Sequence, residues 1–559
     1  MMIIRNIFQY KVKLHLMVIL LLLWPFVSAM ALSATDNISI STDKSFYVVG
    51  ELVNIKVINE LDSESINNKR DYVYCDFISQ SGDIQLSQKL MLINGVGELQ
   101  MHIPKNIKSG YYIIRAYTRQ MRLSPLTYAF VEVKVVNIID SEVVGAGVSQ
   151  SIELKKNASI SISEQMIFEG LSSNYKRRDK VSFNIKIDTS LYRKSSISVS
   201  VVPKLSTSIN ALKAYQLKTL EIDSNLSFDE SSGFTLSGYI IQKDTNNTVA
   251  GKIIYLSVRG TKHIQTCISD SMGRFYVCMP NIYNEHSVYI STDTVDKNAE
   301  IFIDMDNDQY YNYLFKKDFR LSSDEKKLAL LLSQNIAIKE NFANKKVQNI
   351  ESEAIISKPP FYYKADELVV IMDYVDMPTL DMYFTELPGR ARLYKRRKKT
   401  KIKVLASNDV PLVMDPLIMI DYVAVNDLDE ILKISPKSIN RVEVVNQYYQ
   451  LGDISFGGII NFISNNDDFG GFNFAKSSMV INYSFLNECA AAPSNIIDAA
   501  LAIPDARTTL YWNAKPSITD GDINVEFTSS DVAETYSVVV KGIKNNGDKF
   551  YFTKEFIVK

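Results

Sequence analysis

Polar and apolar residues alternate with a period of two along most of the chain, the pattern of strands with one face buried. Between Asn37 and Asn137 the pattern runs through "ISISTDKSFYVVGELVNIKVI", "KLMLINGVGELQMHIP" and "GYYIIRAYTRQM", with Gly50, Gly95, Gly97 and Gly110 at turn positions. Such alternation with short punctuation predicts an antiparallel β-sandwich over 37–137. A second sandwich-like unit is expected over 138–206, where "KVSFNIKI" and "SSISVSVVP" alternate clearly. A third is expected over 234–305, and a closing β module over 505–559 has turns at Asp520-Gly521 and Asn546-Gly547.

Two stretches break this rhythm. In 322–350, Ser322 or Ser323 can cap a helix, Asp324 and Glu325 suit its N-terminus, and Leu328, Leu330, Leu331, Ile336 and Ile338 supply an apolar face. A helical connector is predicted there. Within 366–466, Leu417 to Ile420 reads as a buried strand and "DLDEILKIS" as a short helix capped by Asn426 or Asp427. "INRVEVV" and "GGIINFIS" follow as strands, so this segment is α+β. The expected fold is therefore mainly β and multi-domain: immunoglobulin-like or macroglobulin sandwiches, one α+β plug-like domain and a short helical connector.

Several segments carry family resemblances. "STDKSFYVVGELVNIKV" resembles the opening of a macroglobulin domain, with Thr-Asp-Lys, a Tyr and then Gly-Glu before the next strand, and "GVGELQMHIPKNIKSGYYIIRAYT" is similar to its closing half. Residues 234–305 resemble the carboxypeptidase regulatory-like fold, through the "SG" strand start and a D-x-x-G-x-F hairpin at Asp270, Gly273 and Phe275. That resemblance implies no peptidase activity. Residues 366–466 resemble the plug domain of TonB-dependent receptors, in Pro416-Leu417, Ile420-Asp421, the helix, Ile439 to Val444 and Gly458-Ile459-Ile460. The family has Gly after that Asp, and Tyr422 stands there instead, which requires a turn free of positive φ.

A plug normally fills a large barrel whose strands each need about 9–11 residues to cross the membrane. Fewer than about 100 residues follow Ser464, and they alternate like a soluble sandwich. A transporter is therefore not expected of this chain alone. At the other end, Arg5, Lys11 and Lys13, an apolar core from Leu14 to Val27 interrupted by Pro25, and Ala29-Met30-Ala31 form the layout of a secretory signal peptide over 1–31, cut after Ala31. The alternative is a membrane anchor, for which the apolar core is short. Nothing later offers a transmembrane helix, and a mature chain of about 530 residues fits roughly three to five domains.

Composition narrows function further. A net charge of −1 with 22% charged residues favours neither nucleic-acid binding nor an acidic disordered chain, and Tyr 31 and Phe 26 against Trp 2 support the strand-rich reading. Export raises the question of disulfides among Cys75, Cys267, Cys278 and Cys489. Cys267 and Cys278 flank a turn at Ser271-Met272-Gly273; they face each other in a disulfide or stand as two small buried hydrophobes.

Catalytic signals are sparse. A macroglobulin-type Cys-Gly-Glu-Gln thioester does not occur, His102, His263 and His286 form no metal motif, and neither a G-x-S-x-G nor a P-loop is present. No enzyme activity and no cofactor or metal are expected. "DMDND", Asp304 to Asp308, spaces carboxylates as calcium loops do but lacks the central Gly and distal Glu, leaving a solvated loop as the plain alternative.

A basic contact patch is formed by Arg390, Arg392, Lys395, Arg396, Arg397, Lys398 and Lys399, with Leu393, Tyr394 and Ile402 interleaved; it reads either as a site for lipid phosphates or an acidic partner or as an exposed hairpin. The plug-like segment offers Pro416, Leu417, Asp421, Tyr422, Gly457 and Gly458 as a docking region. These features predict a non-enzymatic Gram-negative envelope protein, periplasmic or outer-membrane-associated, that binds an outer-membrane or other envelope protein, including a separately encoded barrel. The alternative is a ligand- or glycan-binding protein using tyrosines such as those of "DQYYNYLF" and "PFYYKADE".

Overall fold

The computed structural model describes residues 36–60, 70–140, 166–207, 217–219, 226–228, 230, 232–293, 298–308, 311–313, 318–343, 359–386, 389–396, 399–474, 478–488, 495 and 504–559. The signal-peptide segment, Arg397, Lys398 and Cys489 lie outside them. The fold is mainly β, with multiple sheets assembled into several modules.

The first sandwich uses β1 (Ile38–Thr42), β2 (Phe46–Val48), β3 (Leu52–Asn59), β4 (Arg70–Ile78), β5 (Ile84–Ile93), β6 (Val96–His102), β7 (Gly110–Tyr117) and β8 (Ala129–Val136). Its order is β1-β3-β6-β5-β4-β7-β8-β2. β1 pairs antiparallel with β3, whereas β2 pairs parallel with β8, so the three-residue break Asp43-Lys44-Ser45 carries the chain from one layer to the other. The macroglobulin-like motif residues build that crossing. The Tyr47 hydroxyl donates to Asp43 (2.7 Å), Lys44 pairs with Glu51 (2.5 Å), and Glu51 accepts from the Val48 amide (2.8 Å), all buried. Each polar group left by the broken ladder thereby finds a partner.

The chain then enters β9 (Ile167–Glu169), β10 (Asn174–Tyr175), β11 (Lys180–Lys186) and β12 (Ser198–Pro203). Next come β13 (Leu217–Thr219), β14 (Phe234–Gln242), β15 (Ile253–Val258), β16 (His263–Ile268), β17 (Arg274–Met279), β18 (Glu285–Thr292), β19 (Ala299–Ile303) and β20 (Tyr311–Tyr313). Helix α1 (Ser323–Ala343) precedes the inserted module. That module contains β21 (Glu367–Val370), α2 (Leu380–Glu386), β22 (Ala391–Arg396), β23 (Lys399–Val404), β24 (Leu417–Ile420), β25 (Val423–Ala424), α3 (Leu428–Ile431), β26 (Ile439–Val445), β27 (Tyr449–Leu451), β28 (Ile454–Phe456) and β29 (Ile459–Ser464). β30 (Met479–Ser484), β31 (Tyr511–Asn513), β32 (Asp522–Thr528), β33 (Glu534–Ile543) and β34 (Lys549–Val558) close the chain.

The pairing of these strands is nested. β11 lies against β32 through seven consecutive residue pairs from Lys180↔Thr528 to Lys186↔Asp522, and β12 lies against β33 from Ser198↔Lys541 to Pro203↔Tyr536. Segments 138–206 and 505–559, expected as separate modules, thus complete one another as a single second sandwich. The reason is physical: neither has enough strands to close a core alone, and together they bury Val181, Phe183, Val199, Trp512, Val525 and Val538. The third sandwich, sheets β17-β14-β19 and β16-β15-β18-β30, likewise recruits β30 from beyond the inserted module.

Helix α1 begins with a reciprocal capping box: the Ser322 hydroxyl accepts from the Glu325 amide (3.1 Å) and Glu325 accepts from the Ser322 amide (2.8 Å). Its buried stripe is Leu328, Ala329 and Leu332, while Leu330, expected on the apolar face, is exposed. The stripe packs on Phe46, Val48 and Val136, covering the β2 edge of the first sandwich. Among the described residues no helix is long and apolar enough to cross a membrane.

Candidate interaction surfaces of the inserted module

The inserted module is a five-stranded sheet, β21-β26-β29-β24-β25, with β24 and β29 parallel. Asp427 caps α3 by accepting from the Glu430 amide (3.0 Å). One face of the sheet is covered by α2, α3 and the β22–β23 hairpin through Leu380, Phe384, Ile402, Val404, Ile431 and Phe462.

The other face lies against the third sandwich. Leu417, Met419, Val445, Phe456 and Ile459 pack with Tyr255 and Ile264. Polar bonds frame this contact: the Ala424 amide donates to the Ser257 hydroxyl (3.1 Å), and the Thr266 hydroxyl donates to the Leu451 carbonyl (2.8 Å). The docking region expected from sequence is consumed here. Pro416, Leu417 and Asp421 are buried, Gly458 has φ +96 with a Cβ position only 2.6 Å from the Val445 carbonyl, and a Cβ on Gly457 would overlap the Met414 carbonyl. Of these, Leu417 packs against the third sandwich, whereas Asp421, Gly457 and Gly458 are held by contacts inside the module itself.

The turn at Asp421-Tyr422 also differs from expectation. Ile420 pairs directly with Val423, leaving a two-residue hairpin loop, and both loop residues have positive φ, 45 and 65. Tight hairpins demand this mirror-image turn whatever the residues. The cost of left-handed backbone, about 1 kcal/mol or more per non-glycine residue, is offset by fixed partners. Asp421 accepts from the Ser464 amide (2.7 Å), the Ser464 hydroxyl (2.6 Å) and the Phe469 amide (2.8 Å). The Tyr422 amide donates to the Asn461 side chain (3.3 Å), and its ring lies beneath Lys262 Nζ at 5.1 Å.

Two surfaces of the module remain outward. The first is the β22–β23 hairpin, where Ala391, Ile402 and Val404 are buried and the intervening positions are cationic. Arg392 is registered opposite Lys403, Tyr394 opposite Lys401, and Arg396 opposite Lys399. Like charges directly opposite on a sheet repel. Two of these cations share a carboxylate: Asp415 pairs with Lys403 (2.9 Å) and Lys401 (3.2 Å). Partial burial alone would raise the Asp415 pKa, but these two ammonium groups outweigh it and hold the carboxyl below its ordinary value. Lys403 also donates to the carbonyls of Val413 (2.6 Å) and Met414 (2.8 Å). It thereby fixes an adjoining loop whose side chains are apolar and open: Val413 is 83% exposed, with Val410, Met414 and Tyr448 beside it in the exposed class.

The second surface is the outer edge of β21. This strand pairs with β26 and, among the described residues, with no other strand. Leu368 on it is exposed, and the segment that follows continues the apolar exposure through Met372 (85%), Tyr374 and Val375 (82%).

The remaining sequence candidates became structural. Asp306 and Asp308 join the first and third sandwiches, and Asp304 is paired within the third. Asp306 bonds Lys89 and Arg119 (both 2.5 Å), Asp304 bonds Arg274 (2.5 Å), and Asp308 accepts from the Tyr128 hydroxyl (2.6 Å). Arg119 also donates to the Tyr74 hydroxyl (2.9 Å), which in turn bonds Glu230 (3.0 Å). The alternate spacing of the carboxylates thus meets the protein's own cations and hydroxyls, in place of a solvated loop. Among the described residues no group of three or more metal-ligating side chains assembles. Cys267 and Cys278 are free: β16 and β17 belong to opposite layers, so the turn between them is a corner, not a hairpin ladder. Phe361 and Tyr362 pack inward, with Tyr362 bonding Glu443, while Tyr363 is exposed; the side chains of the "DQYYNYLF" tyrosines lie outside the described residues.

Sequence reading followed the basic run from Arg390 to Lys403 but missed Asp415, the carboxylate that pairs with Lys401 and Lys403. It also missed Arg119, whose partner lies 187 residues away. No local signal encodes that pair.

No family model matches the chain, and no curated protein matches it. Among solved structures, it is similar to the Salmonella alpha-2-macroglobulin reacted with methylamine, at 9% identity over 94% of this chain and 39% of that one, with a TM-score of 0.23. It is also similar to the native conformation of the E. coli alpha-2-macroglobulin, at 10% identity over 95% of this chain and 40% of that one, with a TM-score of 0.23. Chicken CNTN1 FN1–FN3 domains match 46% of this chain at 8% identity, covering 60% of theirs, with a TM-score of 0.13. The chain spans about two fifths of the length of those bacterial macroglobulins.

Proposed function

We infer that this chain is a non-enzymatic Gram-negative envelope protein that binds an outer-membrane protein partner through its inserted, plug-like module. The observation that carries this reading is the open β21 edge with Leu368, Met372, Tyr374 and Val375 exposed beside it. An edge strand whose outer side pairs with no strand among the described residues, with flanking apolar side chains, supports strand addition, in which main-chain bonds give affinity and side-chain pockets give specificity. The face first expected to dock is used within the chain, so the binding reading moves to this edge. The nested sandwiches act as the arm that presents it.

Affinity purification of the full mature chain from solubilised outer membranes tests the reading. Co-recovery of a barrel protein is expected, with loss of at least about tenfold when Met372→Glu and Val375→Glu are combined, since two exposed apolar anchors become charges. Recovery of the wild type as a free monomer overturns it.

A further inference from the structure

We propose that the outer face of the β22–β23 hairpin, together with the Val410–Met414 loop, is a peripheral membrane-binding surface for anionic phospholipid. Two independent features converge on this one patch. The first is charge: Arg392, Lys401 and Lys403 share one face of the hairpin, with Asp415 paired to the two lysines. A fold gains nothing from directly opposed cations. Such a face becomes favourable when phosphates lie across it, because each cation near an anionic bilayer adds attraction that falls off within a Debye length.

The second feature is apolar exposure at the same place. Val413 is 83% exposed, and Val410, Met414 and Tyr448 are exposed too. The loop is held to the hairpin by Lys403, which bonds two of its carbonyls, and the Val413 amide donates to the Tyr448 hydroxyl (3.2 Å). Aliphatic side chains ringed by lysines and a tyrosine match the bilayer interface, where methyl groups enter the acyl boundary and ammonium groups stay with the phosphates. An acidic protein surface accounts for the cations but not for the four open apolar side chains among them. The inference stands apart from the β21 edge and does not depend on a protein partner.

Co-sedimentation of the mature chain with vesicles tests it, using phosphatidylcholine alone and phosphatidylcholine mixed equally with phosphatidylglycerol. Binding is expected to the mixed vesicles and to weaken steeply with salt. Lys401→Gln should lower the partition coefficient about fivefold, as expected for one cation lost at an anionic surface. Val413→Asp should lower it about tenfold by removing an inserted aliphatic group and adding an anion. Asp415→Asn should raise it severalfold. That gain separates binding from folding, since a damaged fold does not bind better. Equal binding to both vesicle types, no binding, or indifference to all three substitutions overturns the proposal. So does hairpin-dependent capture of an acidic protein without vesicle binding.

Discussion

Two regions of this molecule are built from the same residue types and solve opposite problems. At the junction of the first and third sandwiches, Lys89 and Arg119 are met by Asp306, in a setting where Arg119 is essentially inaccessible. On the β22–β23 hairpin, Arg392 faces Lys403, and Lys401 and Lys403 share Asp415, which is 63% exposed. Buried charge has to be matched, because desolvating an unpaired ion costs several kcal/mol. Exposed charge can stay unmatched, since water and salt screen it. Buried, matched charge therefore marks where the chain holds itself together, and a concentration of exposed like charge marks a surface open to other molecules.

The sharpest way to break this comparison is to truncate one member of each region. Arg119→Ala should destabilise the protein by about 3–5 kcal/mol in chemical denaturation, because Asp306 and Glu230 are left buried with less compensation. Burial alone would raise the Asp306 pKa, but Lys89 and Arg119 outweigh it and keep the carboxyl below its ordinary value, so the substitution removes one of the two cations that hold this buried charge.

A smaller effect should appear as a pH dependence confined to the junction. Burial pushes the Glu230 carboxyl up to about 7, against the opposing pull of Arg119 and the Thr235 amide. The folded state therefore holds a proton that the unfolded chain releases near its ordinary value of 4.5. The resulting stabilisation is complete below that value and is lost as pH rises towards 7. Glu230→Gln should remove this decline from urea-denaturation midpoints measured across the interval, and an unchanged slope would assign it elsewhere.

The smallest effect is expected on the hairpin, and with the opposite sign. Arg392→Thr should raise stability by about 0.5 kcal/mol or less at low salt, by relieving the Arg392–Lys403 opposition, and the gain should vanish at high salt. A loss comparable to that of Arg119→Ala would erase the distinction between the two regions.

How much of this could be read from the chain depends on the range of the interaction. The α3 cap at Asp427, the capping box around Ser322 and the strands Leu417–Ile420, Ile439–Val445 and Ile459–Ser464 were legible, because period, capping and turn chemistry act within a few residues. The mirror-image turn at Tyr422 was misread because residue identity argued against it, whereas the two-residue connection between β24 and β25 required it. The basic run was visible as composition. Its alternation, with Ile402 and Val404 inward and lysines outward, became a surface only once the hairpin register was known.

The sequence by itself determined the class of the molecule: β-sandwich modules, an α+β segment, a helical connector, and buried knots such as Asp43, Lys44, Tyr47 and Glu51 whose partners lie within a few residues of each other. Only the tertiary structure decided that 166–206 waits for 504–559, that β30 returns to the third sandwich, and that the docking residues face inward. The physical reason is common to all three. Strand pairing and apolar burial are satisfied by whichever complementary edge or face the folded chain brings nearest, and alternation along a strand says that a face is buried without saying against what.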